Sequence, residues 1–448
     1  MARHALRVRE GSDLKIQGVG LGAFLVGLLV VSVSVTSAAA AASISFTTPL
    51  VIGFTKGDDW EPDVAADGRG NVYVAWAHFG DVPGCDTCAD PAALIQISRD
   101  GGRTWGASFP LNPTPEGPDA TYQIDLQVKV NAAGNVFVAY LEGKDTVAQR
   151  SNDFGRTWTT PVAVNADVKN SWTDKVGLAV RGEDVYVSYS IAQKFFVSAS
   201  HDGGRTFRST QVNQASSEFA WTLTSGGVVN SRGEAYFSWV GVHQSGNALG
   251  PQELFLSKSS DGGATWSVIQ IEDDVPPGPS CLEFSCGWDF WGPQMVVGVD
   301  ASDRLYVLYN AGETDQGPPR VWYRSSSDGG ATWSARTTIH SDIGGRFALF
   351  PAIVGGRAGE VHTSWMDDRT GQFNTWYRTS TDGGRTWSAE VQVSQFAAGF
   401  KYKKANGYEF TYGDYYGIAW DGSKAHIAWG EGPDYIGPGN VWYATRVR

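Results

Sequence analysis

Seven short stretches of this 448-residue chain gather aromatic rings beside acids or a base. They are Trp60-Glu61 (preceded by Asp58-Asp59), Tyr122 with Asp125, Trp172 with Asp174 and Lys175, and Trp221. Asp289-Phe290-Trp291, Arg346-Phe347 and Tyr412-Gly413-Asp414-Tyr415 complete the set. Such mixtures suit carbohydrate: a sugar ring stacks its apolar C–H face on Trp or Tyr, and its hydroxyls bond to carboxylates. Further acids and a base follow other strands, at Glu142, Asp145, Glu313, Asp315, Asp367, Asp368, Arg369, Glu431 and Asp434. The alternative is structural, with the aromatics packing against neighbouring elements and the acids solvated.

Histidine and cysteine offer less. His362 and His426 occupy a slot that Tyr73, Phe137, Tyr186, Tyr236 and Tyr306 fill elsewhere, so they read as packing substitutes for an aromatic. His78 and His243 are freer, but nothing near them has metal-ligand spacing. The four cysteines form two close pairs, Cys85-x-x-Cys88 and Cys281-x-x-x-x-Cys286. In an exported protein these read as two local loop disulfides; a zinc site across both loops and a redox C-x-x-C are the alternatives. No cofactor is expected, although a structural calcium ion is compatible with the sequence.

The elements that must position these residues repeat. The octet Ser380-Thr381-Asp382-Gly383-Gly384-Arg385-Thr386-Trp387 has close copies beginning at Ser98, Ser151, Ser200, Ser259 and Ser326. Successive copies lie roughly 50–65 residues apart, a spacing that signals solenoids, propellers or arrays. Its Asp accepts backbone N–H bonds within a tight turn, its glycines take backbone angles closed to other residues, and its aromatic wedges between sheets. Asp100, Asp153, Asp202, Asp261, Asp328 and Asp382 are therefore read as hairpin fasteners.

Upstream of each octet runs a strand–turn–strand phrase such as Pro62 to Trp76, with period-two alternation in its second strand. With a third strand before the octet and a short fourth after it, each unit is a four-stranded antiparallel blade. The phrase occurs seven times, the last at Ala425-His426-Ile427-Ala428-Trp429, after which the chain ends without a fourth strand. Residues 46–52 resemble the segment after an octet, so the N-terminal strand is expected to complete the last blade. The fold expected is all-β, a seven-bladed β-propeller whose octet turns lie on one rim and whose aromatic–acid stretches lie on the other, upper rim.

Residues 1–42 differ from the rest. Arg3, Arg7, Arg9 and Lys15 precede an apolar run from Val19 to about Val35 and a small-residue tract ending at Ala42, the order of a secretory signal. An uncleaved membrane anchor is the alternative. Either way the domain at 43–448 is expected to be secreted or displayed at the cell surface. The net charge of −12 disfavours nucleic acid and anionic membranes as partners. A glycan or glycoconjugate is the partner expected; oligomeric state is not set by these features.

The octet resembles the Asp box, or BNR repeat, of sialidases and related β-propellers. That resemblance implies a propeller, and Asp boxes occur both in enzymes and in pure binding propellers. Sialidases are six-bladed, so the seven units depart from their pattern. A sialidase would carry three arginines clamping the substrate carboxylate, an Asp acid/base, and a Tyr nucleophile activated by a Glu. Carried over by placement, the resemblance implies Tyr412 or Tyr415 as nucleophile, Glu61 (or Glu431) as activator and Asp59 (or Asp58) as acid/base. Arg346 and Arg369 would be the clamps, while the family's early Arg-Ile-Pro motif is absent from residues 50–60. Substrate contacts would come from Trp60, Tyr122, Asp125, Trp172, Asp174, Trp291, Asp367, Asp414 and Glu431. The remaining readings are a non-catalytic glycan- or protein-binding propeller, and a different polysaccharide hydrolase or lyase.

Overall fold

The computed structural model describes residues 43–447 other than 55, 117–120, 169–171, 214–218, 244–250, 277–293, 316, 372, 395–402, 405–406, 409–412, 414 and 432–438. Ser43–Arg448 is one compact unit. It contains seven four-stranded antiparallel sheets plus a small hairpin at Lys403–Lys404 and Gly407–Tyr408. Among the described residues no helix is long and apolar enough to cross a membrane.

The first blade shows the pattern: inner strand Asp58–Ala66, then Val72–Phe79, Ala92–Ser98 and a short outer strand, Phe109–Pro110. The inner strands of blades two to seven are Gln123–Val130, Asp174–Arg181, Trp221–Val229, Met295–Val299, Ala348–Gly355 and Gly417–Trp420. Ring closure is as expected. Leu50–Ile52 pairs with the third strand of blade seven, Leu50 opposite Tyr443 and Ile52 opposite Val441. The pairing extends through Phe46 opposite Arg446 and the Thr47 amide bonded to the Thr445 carbonyl at 2.9 Å. One sheet is thus sewn from both ends of the domain, which removes the open ends a linear array would expose.

Second strands are buried on both faces, because each blade is stacked between two others; Val72–Phe79 is buried throughout except at Phe79. Their period-two pattern therefore divides two interfaces rather than core from solvent. One face carries Trp76, Tyr140, Tyr189, Trp239, Tyr309, Trp365 and Trp429, one per blade, all buried and turned to the preceding blade. Burying each stabilises the stack by about 1.5–3 kcal/mol. The opposite face carries Tyr73, Phe137, Tyr186, Tyr236, Tyr306, His362 and His426, also buried. His362 stacks on Trp420 at 4.3 Å and bonds to the Tyr377 hydroxyl, and His426 bonds to the Tyr443 hydroxyl, so both are interface residues as expected.

All six octets fold alike. In the first, the Asp100 carboxylate accepts from the Arg103 amide (3.0 Å), the Thr104 amide (2.8 Å) and the Thr104 hydroxyl (2.7 Å), while Ser98 Oγ accepts the Gly102 amide. These donors stabilise the ionised form and hold Asp100, Asp261 and Asp328 down to about 2, and Asp153, Asp202 and Asp382 lower still. In the second octet Phe154 replaces the first glycine and still takes φ +61°, the left-handed conformation that glycine adopts without strain. The closing Trp105 lies edge-on to Tyr443 of the blade before it, at 4.8 Å, a wedge between sheets.

Cys85 and Cys88 are disulfide-bonded, with Cα atoms 5.6 Å apart. Cys281 and Cys286 lie outside the described residues.

Candidate functional site

The inner strands surround a central channel. Its lower part is a cavity of about 320 Å³ lined by all seven of them, with Asp63, Gln127, Lys129 and Ser225 as its polar groups. Asp63 accepts from Lys129 Nζ and the Val128 amide, both at 2.8 Å, joining blades one and two across the wall.

Above this cavity the inner strands share an irregularity. Pairing slips between Trp60 and Asp63, Ile124 and Gln127, Asp174 and Val176, Thr224 and Gly227, and Leu349 and Ala352. In four of these bulges a residue other than glycine takes a left-handed φ: Glu61 (+54°), Asp125 (+58°), Lys175 (+53°) and Phe350 (+52°). Each such conformation costs about 1–3 kcal/mol and persists only where its surroundings impose it, commonly at functional sites.

The bulges of blades one to three meet. Lys175 Nζ lies 3.2 Å from Asp125 Oδ1 and 3.7 Å from Glu61 Oε1, and sits over the Tyr415 ring at 5.4 Å from its centroid. The Tyr415 hydroxyl donates to the Leu126 carbonyl at 3.2 Å, inside the bulge of blade two. Gly413 leans on Glu61 so closely that an added Cβ would stand 2.0 Å from its Cγ, and its φ of +77° also favours glycine. A small cavity of about 30 Å³ adjoins the cluster, lined in part by Gln127, Lys175, Thr224, Gln294 and Tyr415. Two carboxylates sharing one ammonium leave a formal charge of −1 and hold the donor and acceptors in place. That set brings one donor and two acceptors together, the chemistry that recognises hydroxyl groups.

Beside the cluster stand aromatics. Tyr122 and Trp172 are stacked, with centroids 6.2 Å apart and planes 12° from parallel. Trp172 is 63% exposed. The Trp221 indole donates to Asp174 Oδ2 at 3.1 Å, and Asp174 Oδ1 accepts the Lys175 amide at 3.0 Å, so aromatics and charged cluster share one framework.

The other expected site residues lie elsewhere. Asp59, Asp367 and Glu431 are fully buried between blades, where each accepts the indole N–H of an interface tryptophan: Trp76 at 2.7 Å, Trp365 at 2.8 Å and Trp429 at 2.6 Å. A buried indole N–H needs a partner, and these acids provide it. Asp59 also bonds to His78 Nδ1 at 2.7 Å, and burial raises its pKa. Burial lifts Glu431 to about 8, and its Oε1 has no hydrogen-bond partner among the described residues. Arg369 is bound by Asp367 and Glu390 and lies over the Trp376 ring. Arg346 is half exposed, 3.9 Å from Asp368. Neither cavity is lined by Asp59, Asp367, Glu431, Arg346 or Arg369. Trp60 packs against Phe79 at 4.3 Å. Tyr412, Asp414 and Trp291 lie outside the described residues.

Sequence reading underrated Lys175, taken only as a neighbour of Trp172 and Asp174, although it is the hub of the cluster. The available signal was an offset: Asp125 and Lys175 each follow an entrance aromatic, Tyr122 and Trp172, by three residues.

Residues 378–389 match the BNR/Asp-box repeat. A comparison with curated protein sequences finds no match. Among solved structures, the chain is similar to a protein of unknown function from Dyadobacter fermentans, at 12% identity and TM-score 0.54, covering 91% of this chain and 99% of that one. It is also similar to a PL25 polysaccharide lyase, an ulvan lyase, at 11% identity and TM-score 0.52, with 88% and 95% covered. The intramolecular trans-sialidase from Ruminococcus gnavus aligns at 13% identity and TM-score 0.48, over 88% and 96%. Identities this low speak for fold alone. The chain is a seven-bladed β-propeller of four-stranded blades that carries a BNR/Asp-box repeat at residues 378–389.

Proposed function

We propose that this protein is an exported glycan-binding propeller that recognises carbohydrate at the upper mouth of its channel, over blades one to four. The observation that carries this reading is the exposed Trp172, stacked with the half-buried Tyr122, set beside the Glu61–Lys175–Asp125 cluster. The aromatic pair offers a face for sugar C–H groups, and the cluster offers fixed donors and acceptors for hydroxyls. The Cys85–Cys88 disulfide suits an oxidising compartment, in line with export. Screening the chain against a glycan array tests the reading. Binding should be retained by wild type and lost in the Trp172→Ala and Lys175→Ala variants; equal signal from all three sinks it.

A catalytic reading has one observation in its favour: Tyr415 and Glu61, nucleophile and activator by the sialidase resemblance, both adjoin Lys175. Against it, the two arginines expected to clamp a carboxylate are engaged with Asp367, Glu390 and Asp368. Sialidase-type chemistry predicts turnover of a fluorogenic sialoside that a Tyr412→Phe/Tyr415→Phe double variant abolishes; equal turnover by both proteins removes the tyrosines from the mechanism.

A further inference from the structure

We propose that the lower cavity of the channel is a second ligand site, separate from the mouth, for a small uncharged molecule that joins an alcohol or amide group to a carbocyclic body. Three side chains on its wall have hydrogen-bonding capacity that the fold does not use. The Gln127 amide and the Ser225 hydroxyl make no hydrogen bond to other described residues, and Lys129, with three N–H donors, uses one of them, on Asp63. Polar groups on a cavity wall take their partners from whatever fills the cavity.

The lining is two-sided. Asp63, Gln127, Lys129 and Ser225 all lie on the arc of blades one to four. Blades five to seven line the cavity with apolar groups such as Val296, Val299, Ile353, Val354 and Ile418, and the hydroxyl of Tyr416 is committed to Ser364 Oγ at 2.7 Å. A molecule with one polar edge and one apolar face matches that division. Asp63 and Lys129 offset each other in formal charge, so the wall selects an uncharged ligand. At about 320 Å³ the cavity stands at the low end of the roughly 300–1,000 Å³ of small-molecule sites, room for one ring rather than a chain.

Entry is from the lower rim. The final residues of six inner strands, Ala66, Val130, Val229, Val299, Gly355 and Trp420, line the cavity and are only half-buried. Towards the mouth, Gln127 and Ser225 are shared with the small cavity of about 30 Å³, which holds water but not a ring. A sugar bound at Trp172 therefore does not reach the lower site, and the two bind independently.

Benzyl alcohol, cyclohexanol and benzamide are the probes, with toluene, benzoate and benzylamine as controls that lack the polar group or carry charge, and affinities are read by ligand-observed NMR titration. At least one neutral polar probe should bind tenfold or more tighter than all three controls. Ser225→Ala should weaken it about tenfold, the effect of one lost hydrogen bond. Val229→Trp, which fills the lower opening, should abolish binding, and Trp172→Ala should leave it unchanged. Failure of all three neutral probes, equal binding of a control, or binding that survives both Ser225→Ala and Val229→Trp overturns the proposal. A loss in Trp172→Ala as large as that in Val229→Trp places the ligand at the mouth and overturns it too.

Discussion

Acids at the two rims of this ring live under opposite conditions. On the lower rim, six aspartates repeat in register, each half-buried or exposed and bonded by donors of its own turn, and their pKa values are depressed. Toward the upper rim, Glu61 and Asp125 are buried in strained backbone and answered by one lysine from a third blade. Glu431, at the upper end of its strand, is buried and pushed up to about 8. Repetition marks scaffold, since every blade needs the same turn. Function is sought where blades differ, and there the donors come from distant parts of the chain.

The sharpest way to break that contrast is Lys175→Ala. It removes the ammonium that two buried carboxylates share and should destabilise the fold by about 3–5 kcal/mol, read by denaturant unfolding. A loss below about 1 kcal/mol would mean that the cluster is no more demanding than a surface pair.

Glu431 comes next. Its folded pKa lies above the ordinary glutamate value, so the neutral form is favoured in the fold. Stability is full below about pH 4.5 and falls as pH rises through about 8. Glu431→Gln should therefore gain about 2–4 kcal/mol over wild type at pH 9 and almost nothing at pH 4. An identical pH profile for the two proteins would show that this carboxyl does not titrate as its burial implies.

The Asp boxes should respond in the other direction. Their depressed pKa values give full stabilisation above about pH 4, lost as pH falls towards about 2. Asp382→Asn should lower the thermal midpoint at pH 7 and flatten part of the acid dependence, with Asp261→Asn and Asp328→Asn doing the same to a similar degree. Unequal effects would mean that the turns are not interchangeable. The smallest effect on stability is expected at Trp172→Ala, within about 0.5 kcal/mol because the ring is exposed, and a larger loss would make it a packing residue.

The sequence made the aromatic–acid stretches visible but could not sort them. Asp59, Asp367 and Glu431 looked like Glu61 and Asp125, yet the first three serve the indole N–H groups of Trp76, Trp365 and Trp429. The difference is which face of the blade a side chain meets, and a bulge of one or two residues decides that. Arg369 looked like a clamp for the same reason, and the fold binds it to Asp367 and Glu390.

By itself the sequence determined the ring: turn chemistry acts within eight residues, and a fastener repeated six times, with a matching strand at the start, specifies blades and their closure locally. Only the tertiary structure decided the cluster at the channel mouth. Glu61, Asp125, Lys175 and Tyr415 come from four different blade entrances, and their meeting depends on ring curvature and on left-handed bulges imposed by neighbouring blades, neither of which any local stretch encodes.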